Sequence, residues 1–120
     1  MPTFANVRKI ALALKDVEEG LSYGTPAFKV NGALILRHRP ELNSIALRMS
    51  FEARDEHIAE DPETYYITDH YLNYEWVLVR LSAVRLDALK DLIFGAWKSE
   101  VDLQKKPGGK KKKKSQRSKE

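Results

Sequence analysis

Residues 68–76, Thr-Asp-His-Tyr-Leu-Asn-Tyr-Glu-Trp, form the densest run of chemistry-bearing side chains in the chain. An imidazole among tyrosine hydroxyls can move protons in general acid–base chemistry. Asp69 and His70 are adjacent, however, so the carboxylate is not placed to orient the ring, and no nucleophile motif accompanies them. With Tyr23 and Thr25, the residues His70, Tyr71 and Tyr74 make a candidate cleft, which Trp76 would line and where Arg80 would hold an acidic group. The plainer reading has Tyr71, Tyr74 and Trp76 packing a loop onto the core, with His70 satisfying backbone groups. His38, His57 and His70 lack metal-ligand spacing, and H-x-x-x-H is absent. The chain holds no cysteine, which excludes disulfides, thiolate metal sites and cysteine nucleophiles. No glycine-rich phosphate loop is visible either. Neither an enzyme nor a cofactor nor a metal is expected.

A second set of side chains points to anion binding. Alternate residues of a strand face opposite sides of its sheet. Phe28, Val30, Leu34, Leu36, Ile45, Leu47, Val77 and Val79 then make an apolar face for helices to cover. The opposite face carries Ala27, Lys29, Ile35, Arg37, Arg39, Ala46, Arg48, Trp76, Leu78 and Arg80. Five of these are cations and none is an acid. Arginine forks bind phosphate or carboxylate bidentately, and Trp76 adds a stacking surface. The alternative is an ordinary solvated face, with arginine stems covering apolar surface and their heads paired to Glu41, Glu52 or Asp69. The parity holds only without a bulge, because a one-residue slip reverses a strand's faces. Ile35, Ala46 and Leu78 on this face also leave room for a dimer contact, and the oligomeric state stays open.

These residues need elements to position them. Thr3 is a helix cap, followed by Phe4, Val7, Ile10, Ala11 and Leu14 at helical spacing. Gly20 and Gly24-Thr25-Pro26 break the chain. Residues 27–30 and 33–39 read as strands joined at Asn31-Gly32, a type I′ hairpin signal. A turn at 40–43 leads to a strand over 44–49. Ser50 caps a short helix with Glu52, Asp55 and Glu56 near its positive end. Strands follow at 65–67 and 75–81, with the polar, aromatic loop 68–74 between them. Asp87 opens a last helix, whose buried face is Leu86, Leu89, Ile93, Ala96 and Trp97, widened by Leu92 and Phe94. The order α-β-β-β-α-β-β-α predicts a two-layer α+β domain, an antiparallel sheet of about five strands with helices on one face.

Charge divides the chain in two. Residues 105–120 hold eight lysines, one arginine and one glutamate, a net +8, whereas residues 1–104 hold 12 Lys+Arg against 16 Asp+Glu, a net −4. The pI near 9.3 therefore belongs to the end of the chain. One domain over 1–104 and a disordered lysine-rich tail over 105–120 are expected. No secretory signal and no membrane span is evident, so the protein is read as cytoplasmic with no membrane partner.

Several segments resemble the MmcQ/YjbR family of small bacterial proteins. They are Val17-Glu18-Glu19-Gly20, then Tyr23-Gly24-Thr25-Pro26-Ala27-Phe28-Lys29-Val30, then Thr68-Asp69-His70-Tyr71, and Tyr74-Glu75-Trp76-Val77-Leu78-Val79-Arg80-Leu81. The resemblance covers roughly residues 4–100, in order. Asn73 and Glu75 stand where the family usually shows Gly and Pro. The resemblance implies a two-layer fold like that of secretion chaperones. It also implies the label DNA-binding protein, by analogy with a double-wing transcription-factor domain. The lysine-rich tail lies outside the family core.

The expected function is non-catalytic nucleic-acid binding, non-specific and salt-sensitive. The sheet residues Lys29, Arg37, Arg39, Arg48, Trp76 and Arg80 would make it, with Lys110, Lys111, Lys112, Lys113 and Lys114 of the tail. No helix presents Arg, Asn and Gln together for groove readout, so base specificity is not expected. The alternative is a module binding a small anionic ligand or a protein through the Tyr/His/Trp loop.

Overall fold

The computed structural model describes residues 1–105. Three helices, α1 (Phe4–Leu12), α2 (Phe51–Glu60) and α3 (Leu86–Lys105), accompany six strands: β1 (Val17–Ser22), β2 (Thr25–Val30), β3 (Ala33–Arg39), β4 (Ser44–Arg48), β5 (Tyr65–Tyr66) and β6 (Trp76–Arg80). The strands form one antiparallel sheet in the order β1-β2-β3-β4-β6-β5. The α+β class and the helix-covered face match the expectation from sequence. The last helix runs through Lys105, which had been expected to begin the tail. Lys110 to Lys114 lie outside the described residues.

Two hairpins are built the same way. Asn31 and Gly32 both take positive φ, 51° and 89°, as the type I′ turn between β2 and β3 requires. Tyr23 and Gly24 do the same, at 53° and 82°, between β1 and β2. A left-handed tyrosine is uncommon for a bulky side chain. Here main-chain pairing on both sides of the turn holds it, from Ser22 opposite Thr25 to Val17 opposite Val30.

The strand β1 was not expected. Its residues Val-Glu-Glu-Gly-Leu-Ser neither alternate nor favour a strand, and four of the six are exposed. It is an edge strand, held by the β2 ladder and by the Arg8 guanidinium, whose Nε and Nη2 grip the two Glu19 carboxylate oxygens at 2.9 and 3.0 Å. Charged side chains on an edge also discourage pairing with another chain.

A bulge between β2 and β3 corrects one more expectation. Phe28 pairs with Leu36, but Lys29 pairs with Leu34, so Ile35 is the extra residue. Ile35 turns into the helix-side core, fully buried, while Leu34 passes to the face of Lys29. Beyond the bulge the expected parity holds. The helix-side core joins Phe28, Val30, Leu36, Ile45, Leu47, Val77 and Val79 of the sheet to Val7 and Ala11 of α1 and Leu89, Ile93 and Ala96 of α3, with Ile58 of α2 packed against it. Each large side chain fully buried here contributes about 1.5–3 kcal/mol of transfer free energy. Leu86 and Phe94, expected in the α3 stripe, are substantially exposed.

Candidate functional site: an arginine-aromatic sheet face

The sheet face turned away from the core carries all five expected cations. Cross-strand partners share a face. One row runs Ala27, Arg37, Ala46, Leu78, Tyr66; a second runs Arg39, Ser44, Arg80; a third pairs Arg48 with Trp76. Lys29 sits beyond the bulge beside Leu34.

Each of the four arginines lies over an aromatic ring. Arg37 covers Tyr23 at 5.0 Å, Arg39 covers Tyr71 at 5.6 Å, Arg48 covers Trp76 at 6.0 Å and Arg80 covers Tyr66 at 4.0 Å. Attraction between a guanidinium and the ring quadrupole contributes about 0.5–1 kcal/mol at exposed sites. It also fixes each guanidinium, so less freedom is lost on binding an anion.

Hydrogen bonds divide the arginines into two kinds. Arg37 donates its Nε to Ser22 O and Thr25 Oγ1 at 3.1 and 3.2 Å, and Arg80 donates its Nε to Glu63 O at 3.0 Å. Among the described residues their Nη ends have no hydrogen-bond acceptor. Arg39 is consumed. Its Nε and Nη2 contact Glu41 Oε2 at 2.9 and 2.8 Å, and its Nη1 donates to the Tyr71 hydroxyl. The bond from Arg39 holds the Glu41 carboxyl below its ordinary range. Of the three carboxylates expected as alternative partners, Glu41 alone pairs with this face. The unexpected strand β1 adds an acid to it, because Glu18 stands opposite Lys29. Arg37 and Arg80 thus have no ion pair among the described residues, whereas Arg48 also lines a groove that holds Glu75, Asp91, Glu100 and Asp102.

The candidate cleft resolves into supports for this face. Tyr23 is 91% exposed and stacks on Arg37, while the Thr25 hydroxyl holds Arg37 and donates to Ser22 O at 3.1 Å. Tyr71 does not line a cleft: it is buried with Ala46 and Leu78 in a small second core, packed by Leu42, Tyr66, Ile67 and Trp76. That cover leaves Ala46 and Leu78 fully buried, and Ile35 faces the other way, so the three offer no apolar strip to a second copy. His70 and Tyr74 are exposed. Their rings lie 6.3 Å apart, with His70 edge-on to Tyr71 at 4.9 Å.

The residue that holds the loop over this face was missed from sequence. Arg54 of α2 is 5% exposed. Its Nη1 donates to the carbonyl oxygens of Tyr71, Leu72 and Tyr74 at 3.3, 3.4 and 3.1 Å, and its Nε contacts Asp55 at 3.1 Å. Its guanidinium lies 4.9 Å from the Phe51 ring. Phe51, Arg54 and Ile58 recur at the spacing of one helix stripe. A lone arginine on an apolar stripe was the signal that it points inward.

A groove of about 940 Å³ between α2 and α3 was also unforeseen. Arg48 and His57 line it with the acids Glu75, Asp91, Glu100 and Asp102. None of the five cleft residues does. No group of three or more His, Asp or Glu among the described residues is arranged to hold a metal, and no helix among them is long and apolar enough to cross a membrane.

The YjbR family model matches residues 12–99 of the chain, so the protein belongs to the YjbR family. The fold is similar to the crystal structure of Deinococcus radiodurans protein DR2400, which carries a DUF419 domain. The TM-score is 0.77 at 19% identity, over 92% of this chain and 87% of that one. No curated protein matches the sequence.

Proposed function

We propose that this YjbR-family protein binds nucleic acid without catalysis, through sequence-independent phosphate contacts made by the arginine-aromatic face and the lysines of residues 105–120. The observation that carries the reading is the gathering of five cations on one sheet face of a body whose net charge is −4. Arg37 and Arg80 present Nη ends that have no acceptor among the described residues and suit a phosphate fork. Arg48 over Trp76 offers charge and a stacking plane together. Nothing in this face reads base edges, so affinity follows phosphate number rather than sequence. A cytoplasmic location is part of the same proposal.

The test is duplex binding by the full chain against salt concentration. Each phosphate neutralised contributes about 0.9 to the slope of log affinity against log salt. Arg37→Ala with Arg80→Ala should lower that slope by about 2. An unchanged slope and affinity would remove the sheet face from the reading and leave the terminal lysines alone.

A second reading, a module for small anions, draws on the exposed His70 and Tyr74, with His70 edge-on to the Tyr71 ring that Arg39 covers. It predicts that phosphates, nucleotides or carboxylates raise the melting temperature. Indifference to all three removes it.

A further inference from the structure

We infer that the groove between α2 and α3 is a docking site for this chain's own lysine-rich terminus, residues 106–120. The inference stands whether or not the sheet face binds nucleic acid.

The groove is anionic where the sheet face is cationic. Four carboxylates, Glu75, Asp91, Glu100 and Asp102, face one guanidinium, Arg48, with His57 beside them. Lys98 occupies Asp102 at 3.1 Å, but no cation among the described residues pairs with Glu75, Asp91 or Glu100. The acids frame an apolar floor that includes Met49, Leu92 and Leu103. Such a surface suits a lysine side chain, whose methylene stem packs on apolar atoms while the ammonium reaches a carboxylate.

Glu100 is the second observation. It is 7% exposed, lines the groove, and belongs to the buried stripe of α3 with Leu89, Ile93 and Ala96. Its Oε2 accepts from the Gln104 amide at 3.0 Å, and that same amide donates to Val30 O at 2.9 Å. Its Oε1 has no donor among the described residues. A buried carboxylate with no cation is costly unless further donors reach it. An ammonium supplies three.

The terminus leaves from the right place. Lys105 ends α3, and Asp102, Leu103 and Glu100 of its last turns line the groove. At about 1.5 Å per helical residue, Glu100 lies roughly 8 Å and Asp91 roughly 21 Å back from that end. A chain extended at about 3.3 Å per residue carries Lys110 roughly 17 Å and Lys114 roughly 30 Å from Lys105. Folded back along α3, the five consecutive lysines reach every acid of the groove. Residues 105–120 carry +8 and the body −4, so attraction acts in the same direction. Once docked, these lysines are occupied by the body's own acids, and a polyanion must displace them.

The chain has no cysteine, so Ser115→Cys offers a single site for a nitroxide label on the otherwise native full-length protein. Paramagnetic broadening of backbone amides is the measurement. Signal loss should be largest at Asp91, Gly95 and Ser99, and small at Ala27 and Ala46. It should disappear near 1 M salt, where the screening length falls to about 3 Å. Asp91→Asn with Glu75→Gln, both exposed, should weaken it without unfolding the domain, and Glu100→Gln should weaken it further if that variant folds. Broadening strongest on the sheet face, spread evenly over the domain, or unchanged by Asp91→Asn with Glu75→Gln overturns the inference.

Discussion

The two polar surfaces of this domain are opposite in sign and differently built. The sheet face presents arginines, each laid over a ring and two of them anchored through Nε to backbone carbonyls. The α2–α3 groove presents carboxylates, most of them without a counter-ion among the described residues. A body with net charge −4 thus keeps a cationic face by sorting charges among its elements. Strands β3, β4 and β6 carry the arginines, while α3 carries three of the groove's four acids, Asp91, Glu100 and Asp102. Bulk charge describes neither surface. Arg54 stitches α2, whose Ala53 and His57 line the groove, to the loop that covers part of the cationic face.

Breaking that stitch should have the largest effect on stability. Arg54→Met strips three backbone carbonyls of their donor and is expected to cost about 3 kcal/mol or more. Chemical denaturation would measure it, and the amides of residues 71–74 should lose hydrogen-exchange protection first. A loss below 1 kcal/mol would mean that the loop is held by Tyr71 alone. A smaller cost is expected from Tyr71→Phe, which removes the hydroxyl that accepts from Arg39. About 1–2 kcal/mol should be lost in the same assay, and duplex affinity should hardly change, because Arg39 is already paired with Glu41.

Within the cationic face, Lys29 and Arg37 sharpen the contrast between offset and unopposed charge. Lys29 has Glu18 across the strand pair, whereas Arg37 faces Ala27 and Ala46. Lys29→Ala should lower the salt slope of duplex binding by less than half of the roughly 0.9 expected for Arg37→Ala. Equal slopes would show that the register pairing has no electrostatic consequence.

The smallest expected effect is a pH dependence on the helix side. His38 stacks on Phe4 at 3.9 Å, and burial pushes its pKa below the ordinary value; Glu41 opposes the shift and Arg8 adds to it. The neutral ring is therefore the form that folding favours. Its contribution to stability is complete above the unfolded histidine pKa, near 6.5, and is lost as pH falls through the lower folded value. His38→Phe should flatten the acid side of the stability profile. A profile that keeps its slope would assign the titration to other groups.

Much of this architecture was legible in the sequence because local rules and tertiary packing agree there. Asn31-Gly32 admits one kind of turn, and the alternation in β4 and β6 survives into the sheet without a bulge. What was not legible depended on contacts distant in sequence. The strand β1 has no apolar alternation and exists because β2 offers it a ladder. The bulge at Ile35 exchanges the faces of two leucine-sized residues, which alternation alone cannot register. Arg54 serves carbonyls 17 to 20 positions away. The acids of the groove come from two segments, Glu75 from just before β6 and the other three from α3, so no spacing joins Glu75 to Asp91 and Glu100. The five cations were found on one face because their strands are central or nearly so and keep register. Their two acidic neighbours divide along the same line. Glu41 follows β3 directly, whereas Glu18 belongs to the strand that was missed.

Duplex binding at low salt by a chain ending at Lys105, with its melting curve as a control for folding, separates the sheet face from the terminal lysines. Binding should persist, weaken with salt, and vanish in the same chain carrying Arg37→Ala and Arg80→Ala. A folded body that fails to bind any duplex at low salt, while the full chain does, would contradict a role for the face.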